Sequence, residues 1–325
     1  MPRPRRSASA AWGGSVVALL ILIALAAPWL APYDPAEQLD PPATRYRPPG
    51  TELAAVHRAD GVWRLADRVR RTPGGIEIER LGRTETLAAS EVVNLTPSGV
   101  ADRRLFLLGS DRFGRDLLSR TLYGARVSLA VGVLAMVIAL TLGVAVGSAA
   151  ALGGRWIDAA IMRGVDAIMA FPFLYLVLAL AAFLRPGPAA TVAILGATAW
   201  TRISRLTRAE LVGLRHREFV VAARGLGQHP LAILWRHLLP NAFTPALIQA
   251  TLLVGNLILL ESALSFLGFG IQPPTPSWGN LIAEGQEVLV QCWWITTFPG
   301  AALALTVIAF NLLTDGLRDL LDPRG

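Results

Sequence analysis

Three sets of residues have types and spacings that could do chemistry. Asp111, Arg115 and Asp116 could look like a catalytic acid constellation. Gly114 and the alternating charges around it suit a capped, salt-bridged re-entry segment better, and that is the reading adopted. His216, His229 and His237 gather in one stretch, where imidazoles could serve a metal or sense pH, but no Cys and no spaced acidic ligand stands beside them. Cys292 is the single cysteine, so it can form neither an intrachain disulfide nor a metal cluster.

The missing chemistry is as informative. No lysine occurs anywhere, and all 30 Lys-or-Arg positions are arginine. A phosphate-binding P-loop and a Schiff-base amine both need Lys, so neither can be built here. If ATP drives this protein, another chain must hydrolyse it. The residues point to no enzyme activity, no cofactor and no metal.

Composition says where these residues sit. Of 325 residues, 53% are hydrophobic and only 16% are charged, too apolar for an ordinary soluble domain. Much of the chain belongs in lipid. The net charge of +7 could suggest nucleic acid, but the arginines are scattered through loops between apolar runs, the pattern of cytoplasmic flanks in a membrane protein. No nucleic-acid partner is expected.

A bilayer core takes about 20 apolar residues in a helix. Six runs rich in apolar residues and poor in charge are candidates: 12–30, 127–152, 161–184, 189–203, 242–264 and 297–313. The first follows Arg3, Arg5 and Arg6 and is longer than the apolar part of a signal peptide, so it reads as a retained anchor. The fourth is short, and Thr191, Thr198 and Thr201 give it a polar side suited to other helices. The expected fold is therefore an all-α membrane protein with about six transmembrane helices.

Orientation follows the arginines. Arg202 at the end of the fourth run and Arg205, Arg208, Arg215, Arg217, Arg224 and Arg236 between it and the fifth stand against only Glu210 and Glu218, which marks that loop as cytoplasmic. An even number of spans then places both termini inside, and Arg3, Arg5, Arg6, Arg318 and Arg324 agree. The long stretch after the first run falls outside. Within it, Val62-Trp63-Arg64-Leu65 and Ile76-Glu77-Ile78-Glu79 alternate, and Pro73-Gly74-Gly75 separates short runs. A small hairpin-rich insert or a disordered loop fits this pattern. The expected divisions are 1–31 for the tail and first helix, 32–107 for the extracytoplasmic insert, and 108–325 for a core with five helices and a cytoplasmic loop at 204–241.

That loop has a readable local logic from Glu218 to Asn241. A first short helix should end at Gly227, which can adopt the left-handed conformation that stops helices. Pro230 suits the first turn of a second helix, where its missing N–H costs nothing. Ala222, Ala223 and Gly225 lack bulk, so the first helix could seat deeply in a partner's groove, with Phe219 and Leu226 as anchors. An amphipathic helix pair lying on anionic lipid is the competing reading.

The segment resembles the cytoplasmic EAA loop of binding-protein-dependent ABC transporter permeases. That pattern runs Glu-Ala-Ala, three residues, Gly, nine residues, a hydrophobic position, one residue, then Leu-Pro. Ala222, Ala223, Gly227, Leu239 and Pro240 fall on it at the right spacing. Val221 stands where the family has Glu, and His237 takes the hydrophobic position. Leu108–Ser128, Glu261–Asn280 and Phe310–Pro323 are also similar to the dipeptide and oligopeptide branch, which includes nickel importers. The resemblance implies a type I importer bundle that translocates peptides or similar small solutes by alternating access. It also implies a second permease subunit, two ABC ATPase subunits docked on the loop, and an extracytoplasmic solute-binding protein, all in the bacterial inner membrane and its lipid.

Two residues could line the pathway. Glu261 lies near the outer end of the fifth run, where an acid is a functional candidate or sits in interfacial water. Asn256, deeper in that run, could face a pathway or hydrogen-bond a neighbouring helix. Trp293 and Trp294 suit an interfacial aromatic belt. Two other functions compete. An ion-gradient-driven secondary transporter would want mid-span charges or repeated halves, and neither is evident. A membrane-anchored sensor would use the insert but leave the spans idle.

Overall fold

The computed structural model describes residues 4–73, 75–96, 99–100 and 102–321. Arg3, Gly74 and Arg324, used above as orientation and turn signals, lie outside that set. Two compact units are present. One consists of Met1–Leu22, Val127–Gln272 and Leu303–Gly325, the other of Ile23–Arg126 and Pro273–Ala302.

Helix α1 (Pro4–Leu30) takes the first apolar run, and a single-turn α2 (Pro41–Thr44) follows it. The insert is folded. It holds β1 (Thr51–His57), β2 (Trp63–Ala66), β3 (Arg68–Thr72), β4 (Gly75–Arg80), β5 (Arg83–Leu87), β6 (Leu95–Thr96), β7 (Gly99–Val100) and β8 (Asp102–Phe106). These make antiparallel sheets in the orders β2-β1-β8, β3-β4-β5 and β6-β7. Alternation sets the faces: Ile76 and Ile78 of β4 are fully buried, and they pack with Val56, Ala66, Leu87 and Val92. Glu77 and Glu79, between and beyond them, point to the opposite face of the pleat.

Helix α3 (Leu117–Leu152) is far longer than the apolar run that predicts it. The third run, 161–184, is not one straight span. It divides into α4 (Gly154–Ala170) and α5 (Phe173–Phe183), bent by 89°. Pro172 explains the break, since it carries no N–H and forces Phe171 into extended backbone. Helix α6 (Pro188–Leu214) contains the fourth run and continues through Arg202, Arg205 and Arg208. Among the described residues, four helices are long and apolar enough to cross a membrane, and the bent pair could make a fifth. Helix α6 is long enough but too polar to join them. Its Thr191, Thr198 and Thr201 are buried as expected, and the Thr191 and Thr198 hydroxyls donate to the carbonyls of Gly187 and Ile194 in their own helix.

After α7 (Glu218–Gly225) and α8 (Pro230–Ile233), a π-helical stretch at Leu234–Leu238 leads into α9 (Leu239–Phe266). The Leu239 N–H donates to Leu234, five residues back, just before Pro240, which has no N–H to offer. Helices α10 (Trp278–Gly285) and α11 (Trp294–Leu321) complete the chain. In the first unit, Val131, Ala135, Leu195, Ile203, Ala250 and Leu257 form the core shared by α3, α6 and α9. The α3–α6 approach is close. A Cβ on Gly147 would lie 2.6 Å from the Ser204 carbonyl oxygen, a separation no side chain could tolerate.

Candidate functional site

Helix α7 carries Glu218 in its first turn and Arg224 in its last, the placement a helix dipole favours. It ends as its residues dictate. The Leu226 N–H donates to the Ala222 carbonyl over 3.0 Å, Gly227 takes a φ of 77°, and the Gln228 N–H reaches back to Ala223 over 3.2 Å. This is a left-handed helix stop of the kind expected from Gly227. Pro230 opens α8, and Nδ1 of His229 accepts from the Leu231 N–H at 3.3 Å. The two arms also touch side chain to side chain. His237 Nε2 lies 3.2 Å from Gln228 Oε1, and the rings of Phe219 and His237 are 6.4 Å apart.

One face of this helix pair is inside and the other is not. Val220 and Ala223 pack with Leu211, Ile233, Leu234 and Leu238 in a small core of their own. Ala222, Gly225 and Gly227 are exposed, and around them Phe219, Val221 and Leu226 are 42%, 56% and 82% exposed. A Cβ added at Gly225 or Gly227 would meet nothing within 4 Å. The smallness of Gly225 therefore serves no packing within this chain. Leu239 is half-buried against the same small core, and Pro240 is exposed. Among the described residues, no three His, Cys, Asp or Glu side chains converge to hold a metal ion.

In the same unit, Asn256 helps line a cavity of about 330 Å³ together with Phe173, Thr201, Arg202, Leu257 and Leu260. Glu261 is elsewhere in its surroundings: it is fully buried. Ser128 of α3 donates to its Oε2 over 2.7 Å and Ser265 to its Oε1 over 2.8 Å, while Ser262 donates to Oε2 over 3.3 Å. Ser265 in turn accepts from the Ile271 N–H at 2.9 Å. The carboxylate thus joins α3 to α9 and reaches, through Ser265, the turn after α9. Hydroxyl donors of this kind make a buried carboxylate tolerable.

In the second unit, Asp111, Arg115 and Asp116 are all buried. Asp111 Oδ1 accepts from the N–H groups of Phe113 and Arg115, and its Oδ2 lies 2.6 Å from Arg115 Nε. Asp116 caps α3 by accepting from both the N–H and the hydroxyl of Ser119, each at 2.7 Å. Burial pushes its carboxyl above the ordinary range, against the opposing pull of Ser119. Two further members, Arg120 and Glu284, carry no sequence signal that joins them: Glu284 accepts from both Arg115 and Arg120 at 3.0 and 2.9 Å. The result is a buried charge cluster that fixes structure, in which Asp111 and Glu284 are taken up by Arg115 and Arg120 while Asp116 caps the helix through Oδ2.

Comparison with known proteins bears on the whole arrangement. Residues 139–324 match the family described as binding-protein-dependent transport system inner membrane component, and residues 3–49 match the N-terminal TM domain of oligopeptide transport permease C. The β-sheets of the insert fall between these matches. A di/tripeptide transport system permease protein, DppC of Pseudomonas aeruginosa, is 36% identical over 97% of this chain and 88% of its own. A Brucella ovis protein named as a peptide permease is 46% identical over 67% of this chain and 72% of its own. Among solved structures, the inward-facing MetNI methionine ABC transporter is 18% identical, covers 62% of this chain and 97% of its own, and has a TM-score of 0.48.

Proposed function

Because the chain belongs to the binding-protein-dependent transport system inner membrane components, we propose that it is the membrane-spanning permease subunit of an ABC importer for peptides or similar small solutes. It pairs with a second permease, receives solute from an extracytoplasmic binding protein, and is driven by two ATPase subunits on the cytoplasmic side. Both termini lie in the cytoplasm, the insert within 32–107 lies outside, and 108–325 forms the translocating core.

One observation carries the partner assignment. The exposed face of α7 is apolar and small at its centre, with Val221, Ala222, Gly225 and Leu226 uncovered while the opposite face is buried. An uncovered apolar patch on a folded helix pair is suited to a partner's groove. Ala222, Ala223, Gly225, Gly227, Leu239 and Pro240 are assigned to this coupling loop within 204–241. Ala223 and Leu239 act from the inner face, by holding the pair in shape. With Val at 221 no carboxylate is available there, so docking rests on shape and apolar contact.

ATP binding closes the ATPase pair, the loop moves with it, and the helices rock to change which side is open. The loop is where hydrolysis and solute movement exchange free energy. Asn256, on the wall of a cavity, is assigned to the pathway. Glu261, the other pathway candidate, acts at its edge by holding α3 against α9.

The test is co-purification from membranes, comparing wild type with Gly225→Trp. The variant should fold, since nothing in this chain occupies the space, and should lose the ATPase subunits that accompany the wild type. If no ATPase accompanies the wild type in mild detergent, or if Gly225→Trp retains it fully, this assignment is wrong.

A further inference from the structure

The unit made of Ile23–Arg126 and Pro273–Ala302 has a depression of about 650 Å³ lined by Arg45, Tyr46, Arg112, Phe113, Glu284 and Glu287. Two segments distant in sequence are fastened together to build it. The Tyr46 N–H donates to the Asp111 carbonyl over 3.0 Å, the Ser110 N–H to Arg47 over 3.0 Å, and the Arg47 N–H to the Ser110 hydroxyl over 2.8 Å. Tyr46 holds a φ of 58°, unusual for a residue with a side chain. The depression is thus formed by fixed backbone.

The two segments present the same pair of groups. The Arg45 guanidinium lies 5.2 Å from the ring centroid of Tyr46, and that of Arg112 lies 4.6 Å from the ring centroid of Phe113. Stacking on a ring steadies a guanidinium while leaving its N–H edge open to a carboxylate. Arg45, Arg112 and Glu287 are exposed and form no ion pair among the described residues. Glu284 differs: its side chain is only 5% exposed, and Arg115 and Arg120 already hold it.

The pocket therefore offers two unpaired cations, one unpaired carboxylate and two aromatic rings, Tyr46 carrying Arg45 and Phe113 carrying both Arg112 and Arg115. A simple anion would face Glu287 unfavourably, and a simple cation would face two arginines. A ligand with a carboxylate at one end, an ammonium at the other and an apolar side chain between them answers all of these groups. The volume lies within the ~300–1,000 Å³ common for small-ligand sites. We infer that this pocket binds a short zwitterionic peptide, its carboxylate on Arg45 and Arg112 and its ammonium on Glu287. The inference rests on the peptide-importer reading and adds a solute site on the permease itself.

The test uses the assembled transporter in lipid nanodiscs without its binding protein, titrated calorimetrically with the dipeptide Ala-Phe. Wild type should bind it, and Arg112→Gln should weaken binding about tenfold or more, the scale of a lost charge-assisted hydrogen bond. The C-terminal amide of the dipeptide should bind as weakly to wild type as the free dipeptide does to Arg112→Gln. N-acetylation and Glu287→Gln should match each other in the same way. Absence of wild-type binding at millimolar peptide, or equal affinity for the amide and the free acid, overturns the inference. So does an Arg112→Gln that loses only its association with the binding protein while binding Ala-Phe normally. Uptake of Ala-Phe by the complete system separates the two claims. If uptake persists without binding in the pocket, only this inference fails; if no short peptide is taken up, the importer reading fails with it.

Discussion

Arg120 Nη2 donates to Glu284 Oε1 over 2.9 Å, joining α3 to α10 across 164 residues of chain. The same carboxylate also holds Arg115, and Asp111 is the other acid that these two buried guanidiniums share, so removing Glu284 would leave both on Asp111 alone. Breaking a buried pair by removing one partner is far more damaging than the pair's net worth, because the charge left behind stays out of water. Glu284→Ala should therefore cost about 3–5 kcal/mol, seen as a lower midpoint of thermal unfolding in detergent. A midpoint equal to wild type would mean that water reaches these guanidiniums.

Asp116 gives a pH prediction. Its carboxyl is raised above the ordinary value of 3.8 by burial, so the folded chain holds this proton more tightly than the unfolded chain does. The stability it contributes is complete below 3.8 and is lost as pH rises through the raised value. Asp116→Asn keeps an oxygen to accept from Ser119 and cannot ionise. Wild type should gain stability relative to the variant as pH falls from neutral toward that ordinary value. Thermal midpoints of both proteins along a pH series check this, and a constant difference would contradict it.

Two glycines only two residues apart should behave oppositely on substitution. Gly227→Ala forces a side chain into a left-handed conformation and should cost about 1 kcal/mol of local stability. Gly225→Ala lies in helix with open space and should leave stability unchanged or slightly raised. Hydrogen exchange at the amides of α7 distinguishes the two. A bulky residue at 227 is consequently a poor probe of docking, since it strains the turn whatever the partner does.

His237→Leu restores the hydrophobic residue of the family pattern and removes the contact with Gln228. The effect on stability should stay under about 1 kcal/mol, the net value of one partly exposed hydrogen bond. Solute uptake should be preserved. A loss of uptake with unchanged stability would show that the imidazole does more than tie the turn.

Much of this was legible from residue types. Gly227 and Pro230 marked the end of α7 and the start of α8 because each has a backbone property that only one position can use. Ile76 and Ile78 marked β4 by alternation, and the threonines of α6 correctly pointed inward. Local signals failed where distant parts meet. Nothing near Arg120 announces Glu284, and nothing near Glu261 announces Ser128, since these contacts depend on how helices cross. The bend at Pro172 was hidden for a different reason: a mostly apolar run reports depth in lipid, whereas direction is set by one residue's missing N–H. The arginines that end the fourth run made α6 too polar to count with the other long helices, although the helix itself continues.

The insert begins and ends at neighbouring points. Thr51 of β1 is paired with Phe106 of β8, and the Gly50 N–H donates to the Phe106 carbonyl over 2.9 Å. A segment whose two ends already touch can be lengthened, shortened or exchanged without asking the chain on either side to move. The place works as a socket, able to accept inserts of different size while the helices on either side keep their arrangement.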